Sequence, residues 1–164
     1  MKDDNGNSFI IKVDANGQLY TVPVGYRKAL GLGNSLTSHG YSESIGYYGD
    51  PSWAMASTNK TYTTWTHHLE NILKQKYPNA KCDPYNIYSW ETDTMGCDLD
   101  TLFQDYVNQN YDLIIFRAGE NGSADSSYIN GVRRLFRYLV DNFPSAKIVI
   151  CDMFWHNSTK ETAY

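Results

Sequence analysis

Two short stretches, Asp112-Leu113-Ile114-Ile115-Phe116 and Lys147-Ile148-Val149-Ile150-Cys151, constrain the fold more than anything else in this chain. Each is an apolar run with no polar alternation, the pattern of a strand buried on both faces of a parallel sheet. Parallel neighbours cannot be joined by a tight turn, so a crossover long enough for a helix must lie between them. The interval supplies one, because Tyr128, Val132, Leu135, Phe136, Leu139 and Val140 recur at helical spacing and point inward.

The same alternation extends upstream. Ala29-Leu30-Gly31-Leu32-Gly33 reads as a first strand over residues 28–33, and residues 83–88 read as a second. Between them Tyr62, Trp65, Leu69, Ile72 and Leu73 keep helical spacing until Tyr77-Pro78-Asn79 ends the run. Asp98 is placed to cap a further helix carrying Leu99, Leu102, Phe103, Tyr106 and Val107 on one face. This predicts an α/β fold: a three-layer α/β/α sandwich around a doubly wound, flavodoxin-like parallel sheet. The 164 residues suffice for one such domain. Ahead of it, residues 9–13 and 19–24 flank Asn16-Gly17 and predict a β-hairpin. The organisation expected is therefore residues 1–27 as hairpin and linker, decorating an edge or ending a preceding domain, and 28–164 as the main domain. Residues 1–8 and 153–164 read as loose.

Composition removes several functions. A formal charge of −4 argues against nucleic acid as the main partner, and Arg133, Arg134 and Arg137 read as a solvated helix face. No apolar run is long enough to span a membrane. Met1 is followed at once by Lys2-Asp3-Asp4-Asn5 rather than by a signal-peptide pattern, so an exported protein would have lost its leader. Cys82, Cys97 and Cys151 have no metal-ligand spacing, and no metal or other cofactor is expected. Cys151 reads as a core residue, while Cys82 and Cys97 flank a loop and are free to pair in an oxidising compartment.

In doubly wound sheets ligands bind beyond the carboxyl ends of the strands. Here those ends carry Gly33-Asn34-Ser35-Leu36-Thr37, Ser89-Trp90-Glu91 and Arg117-Ala118-Gly119-Glu120-Asn121-Gly122. A serine leaving a first strand can offer both a nucleophilic hydroxyl and a backbone N–H to a developing oxyanion, and a neighbouring glycine permits the sharp turn. Asn121, beyond the third strand, can add a side-chain N–H to the same oxyanion, although a cap or turn role would explain it equally.

The Gly-Asn-Ser-x-Thr block at residues 33–37 resembles the first block of the SGNH/GDSL hydrolases, and DLIIFRAGENG at 112–122 resembles the block that supplies their oxyanion asparagine. The resemblance covers roughly residues 28–155. It implies a serine esterase with Ser35 as nucleophile and with the Ser35 N–H and the Asn121 amide forming the oxyanion hole. Three departures accompany it. Ser89-Trp90-Glu91 stands where the family has a glycine, Gly122 stands where an aspartate usually follows the asparagine, and no Asp-x-x-His block occurs before Tyr164.

Without a base Ser35 is a weak nucleophile. His67 and His68 lie on the helix bearing Trp65 and read as flank residues, and His39 lies four positions beyond Ser35. His156 follows the fourth strand at the correct edge and is the candidate base, although its segment does not match Asp-x-x-His. The missing block suggests a truncated or split protein that is a poor or inactive esterase alone, its open sheet edge covered by an oligomer or a second chain. An aromatic content of 15%, with 14 Tyr and 4 Trp, and the hairpin decoration favour carbohydrate acyl esters as substrates and an exported location. Two rivals share the fold: a flavodoxin-like FMN binder, and a non-catalytic binding module suggested by the aromatics between Tyr41 and Trp53.

Overall fold

The computed structural model of the protein describes residues 9–13, 16–23, 25–38, 64–152 and 160. β1 (Phe9–Val13) and β2 (Leu19–Pro23) form an antiparallel hairpin as a two-stranded sheet of their own. β3 (Lys28–Gly33), β4 (Lys81–Asn86), β5 (Leu113–Arg117) and β6 (Lys147–Ile150) form the main sheet, in the order β4-β3-β5-β6. All three pairings in it are parallel, as the sequence predicts.

The helices are α1 (Trp65–Lys74), α2 (Tyr88–Thr92), α3 (Leu99–Phe103) and α4 (Ser126–Asn142). Strand alternation sorts the sheet into two apolar faces. Leu30, Leu32, Ile114 and Phe116 pack against Trp90 of α2, Leu99 and Phe103 of α3, and Tyr128, Val132, Leu135 and Leu139 of α4. Ala29, Cys82, Leu113 and Ile115 pack against Trp65, Leu69 and Leu73 of α1. The crossover through α1 runs from β3 out to β4, and that through α4 runs from β5 out to β6, in the opposite direction across the sheet. Right-handed crossovers leaving in opposite directions deposit their helices on opposite faces, which yields the three layers. At the amino end, the Asp112 carboxylate accepts the Arg27 N–H at 2.9 and 3.1 Å and the Lys28 N–H at 3.1 Å. These bonds tie the start of β3 to β5. Asp98 caps α3 as expected, and Asp125 caps α4.

Three details differ from expectation. The second strand ends at Asn86 rather than at residue 88, because Tyr88 already begins α2. It also begins earlier, at Lys81, and tolerates Pro84 because it is an outer strand of the described sheet. β6 is not buried on both faces: Val149 is 44% and Ile150 41% exposed. α1 covers the other end of the sheet, over β4, so the Val149 side of β6 has no helix above it among the described residues. Val140 of α4, read as inward, and Ile72 of α1, read as one of the residues at helical spacing, are exposed, since each lies a step off its helix's apolar stripe. All three cysteines are free. Cys82 lies in the α1-side core and Cys97 packs on the opposite side of the sheet, so the pairing left open by their spacing is not formed.

Burial, reinforced by the nearby carboxylates of Asp83 and Glu70, pushes the Cys82 thiol up to about 12. Burial likewise raises Cys97 and Cys151. Native protein at pH 8 is therefore expected to react slowly with an aromatic disulfide reagent, with Cys82 unreactive until the fold is opened by denaturant. The same thiol count with and without prior reduction of the denatured chain will confirm that no disulfide exists; a lower count before reduction would contradict it.

Candidate active site

β3 and β5 are neighbours, and the chain leaves them toward helices on opposite faces, so the crevice beyond their carboxyl ends lies at the switch point of the sheet. Their register pairs Gly33 with Arg117. The segment bearing Ser35 and the segment bearing Asn121 thus begin side by side.

The Ser35 turn is organised by Asn34, which is 2% exposed. Its carbonyl accepts the N–H groups of Thr37 and Ser38 at 2.8 and 3.0 Å, and its Oδ1 accepts the Leu36 N–H at 3.0 Å. The Thr37 hydroxyl accepts the indole N–H of Trp65 at 2.8 Å, tying the turn to the first residue of α1. Gly33 serves this arrangement by its missing side chain. A methyl there would overlap the Thr37 side chain and lie 2.9 Å from the Arg117 carbonyl oxygen. Ser35 is half-buried, and neither its hydroxyl nor its N–H has a partner among the described residues.

The centre of the site is Glu91, the residue that sequence reasoning missed. It lies on α2, is 1% exposed, and accepts from three groups: the Gly119 N–H and Asn34 Nδ2 on Oε1, and Asn121 Nδ2 on Oε2. The Asn34 and Asn121 contacts measure 3.4 and 2.8 Å. Asn34 Nδ2 also donates to Glu120 Oε2 at 2.6 Å. Gly119 has φ +131°, a conformation that a side chain would strain, and it presents its N–H to the carboxylate. Asn121 is exposed and does not cap α4, which removes the capping explanation; its second amide N–H has no partner among the described residues.

Lys160 closes the other side. It is 5% exposed, its Nζ donates to the Gly119 carbonyl at 2.5 Å and the Glu120 carbonyl at 3.4 Å, and it lies 5.4 Å from the Tyr128 ring centroid. Read as part of a loose tail, it is instead buried against the asparagine loop. The third strand-end segment joins through Asn86, whose Nδ2 donates to the Ser38 carbonyl at 2.6 Å.

Ser35 and Asn121 are therefore linked through Asn34 and Glu91. His67 is half-buried and His68 exposed on α1, as expected of flank residues. His39, His156 and the aromatics from Tyr41 to Trp53 lie outside the described residues. The signal for Glu91 was its position, an acid beyond the second strand at the correct edge. Its partners are 28 to 57 residues away in sequence, so no local pattern could reveal its burial. Arg134, read as solvated, is half-buried and donates to the Thr94 and Cys97 carbonyls at 3.3 and 2.8 Å. Arg133 and Arg137 are exposed.

Gly33→Ala is expected to destabilise the fold by about 1–3 kcal/mol, the usual cost of overpacking. Urea unfolding will check this, and an unchanged midpoint would show that Thr37 and the Ser35 turn move aside freely.

No protein-family model and no curated protein matches the chain. Among solved structures it is similar to a family two carbohydrate esterase from Cellvibrio japonicus, with 23% identity and a TM-score of 0.44. That match covers 90% of this chain and 49% of the esterase structure, so the chain spans about half the length of that protein.

Proposed function

We propose that the chain is a serine ester hydrolase of the SGNH/GDSL type, with Ser35 as nucleophile and with the Ser35 N–H and the Asn121 amide as oxyanion donors. One observation carries the reading. At the switch-point crevice Ser35 keeps its hydroxyl and N–H unengaged among the described residues, while Glu91 links its turn to an asparagine that retains one unengaged N–H.

In this mechanism Ser35 Oγ adds to the ester carbonyl carbon as its proton passes to a base. The carbonyl oxygen becomes an oxyanion facing the two N–H donors. Collapse expels the alcohol, which takes up the proton, and water repeats the sequence on the acyl-serine to release the acid. His156 is the candidate base carried from the sequence. General-base help is typically worth about 10²–10⁴-fold, so a chain lacking it would be slow but not inert.

The loop chemistry favours this over phosphate or FMN binding. The N–H groups of Leu36, Thr37 and Ser38, which a phosphate-cradling loop would turn outward, are all spent on Asn34. The aromatic composition points to acyl, above all acetyl, esters of carbohydrates.

The experiment is hydrolysis of 4-nitrophenyl acetate and of an acetylated sugar by the purified chain. Ser35→Ala is expected to reduce the rate to that of buffer, and Asn121→Ala to reduce kcat by about 10²–10³-fold, the usual effect of losing an oxyanion donor. A rate unaffected by Ser35→Ala would remove the reading. Loss in His156→Ala would assign the base, whereas an unchanged rate would direct the search to a second polypeptide.

A further inference from the structure

We infer that Glu91 is the positioning residue of this site: its buried carboxylate determines which end of the Asn121 amide faces the crevice, and holds that amide at a set distance from the Ser35 turn. This rests on the proposed role of Asn121 as an oxyanion donor and adds a residue that the sequence resemblance does not supply.

An amide has a donor end and an acceptor end of nearly equal size, and an exposed Asn121 could present either one. Only the donor end stabilises an oxyanion; the carbonyl end would repel it. A carboxylate resolves this ambiguity because it accepts only. With Glu91 Oε2 at 2.8 Å from Asn121 Nδ2, the flipped amide would set two oxygens against each other. One N–H is thereby committed to Glu91 and the second, on the same nitrogen, is left for the substrate.

Glu91 can do this because it is itself immobile. The adjoining Trp90 is fully buried, edge-on to Phe116 at 5.7 Å and beside Tyr128 at 6.1 Å between ring centroids. The carboxylate's other oxygen accepts the Gly119 N–H and Asn34 Nδ2, so it also fixes the backbone just ahead of Asn121 and the residue just ahead of Ser35. At the next peptide group, Lys160 donates to the Gly119 carbonyl. The loop is thus held by a buried acid at the Gly119 N–H and a buried ammonium at the Gly119 carbonyl.

Glu91→Gln tests this, because glutamine keeps the volume and one acceptor but turns a donor toward Asn121. Its oxygen can still receive Gly119 and Asn34, while its NH₂ requires the Asn121 amide to flip. With 4-nitrophenyl acetate, kcat is expected to fall about 10²–10³-fold with KM within about twofold, matching Asn121→Ala. The double variant should be no slower than Asn121→Ala alone, since both changes remove one interaction. A merely structural glutamate would lower the melting temperature without this split or this non-additivity.

A second readout does not need activity. In ¹H–¹⁵N spectra, the Asn121 side-chain pair, identified by its loss in Asn121→Ala, should show one proton protected from exchange and one exchanging freely. In Glu91→Gln that pair should shift and lose the pattern. Wild-type kcat in Glu91→Gln, alongside an inactive Ser35→Ala, would overturn the role of Glu91 and leave the esterase reading standing. If Ser35→Ala is as active as wild type, the esterase reading falls, and the amide pair alone judges Glu91. Should Glu91→Gln fail to fold, the wild-type spectrum decides: two freely exchanging Asn121 protons would overturn the inference, and one protected proton would support it.

Discussion

The pairing of β3 with β5 is the constraint on which the rest of the molecule depends. Both strands are buried on both faces, so their backbone groups can be satisfied only by neighbouring strands, and their side chains only by helices above and below. Leu30 and Leu32 interleave with Ile114 and Phe116 under α4, while Ala29 lies beside Leu113 and Ile115 under α1. Because the helices leave these two strands in opposite directions, no crossover covers their carboxyl ends among the described residues. The candidate site is a consequence of that geometry rather than an addition to it.

Several buried polar groups gather at these strand ends. Asn34, Glu91 and Lys160 are all nearly inaccessible, and all contact the segment from Gly119 to Asn121 or its partners. A buried carboxylate costs several kcal/mol unless it is well paired, so Glu91 makes sense only with its three donors in place. The network therefore couples the ends of β3, β5 and α2 as a unit. Disturbing one loop would leave unsatisfied groups in the other two. That coupling links the Ser35 turn to the Asn121 loop.

Much of the fold was legible in the residues. Runs such as Leu113-Ile114-Ile115-Phe116 carry their own argument for a central parallel strand, and Asp98 announces its helix by cap chemistry. The failures were of a different kind. Ile150 and Val140 are apolar and were read inward, yet they are exposed, because burial depends on what lies opposite and not on the residue itself. Lys160 reads as part of a loose tail and Glu91 carries no reading beyond its place at a strand end, yet both are buried for the same reason. Gly33 was read as enabling a turn, whereas it makes room for Thr37.

The sequence by itself determined the element types, the parallel character of the sheet, and the two segments, at Ser35 and at Asn121, where chemistry was to be sought. Those are properties of local periodicity and of residues with strong conformational preferences, and they survive without knowledge of neighbours. Only the tertiary structure decided that β3 and β5 are adjacent, that Asn34 turns inward to organise the Ser35 loop, and that Glu91 reaches both loops from a third segment. The reason is that a hydrogen bond between residues 28 to 57 positions apart leaves no trace in the periodicity of either segment. It arises only when two strands buried on both faces bring their ends together.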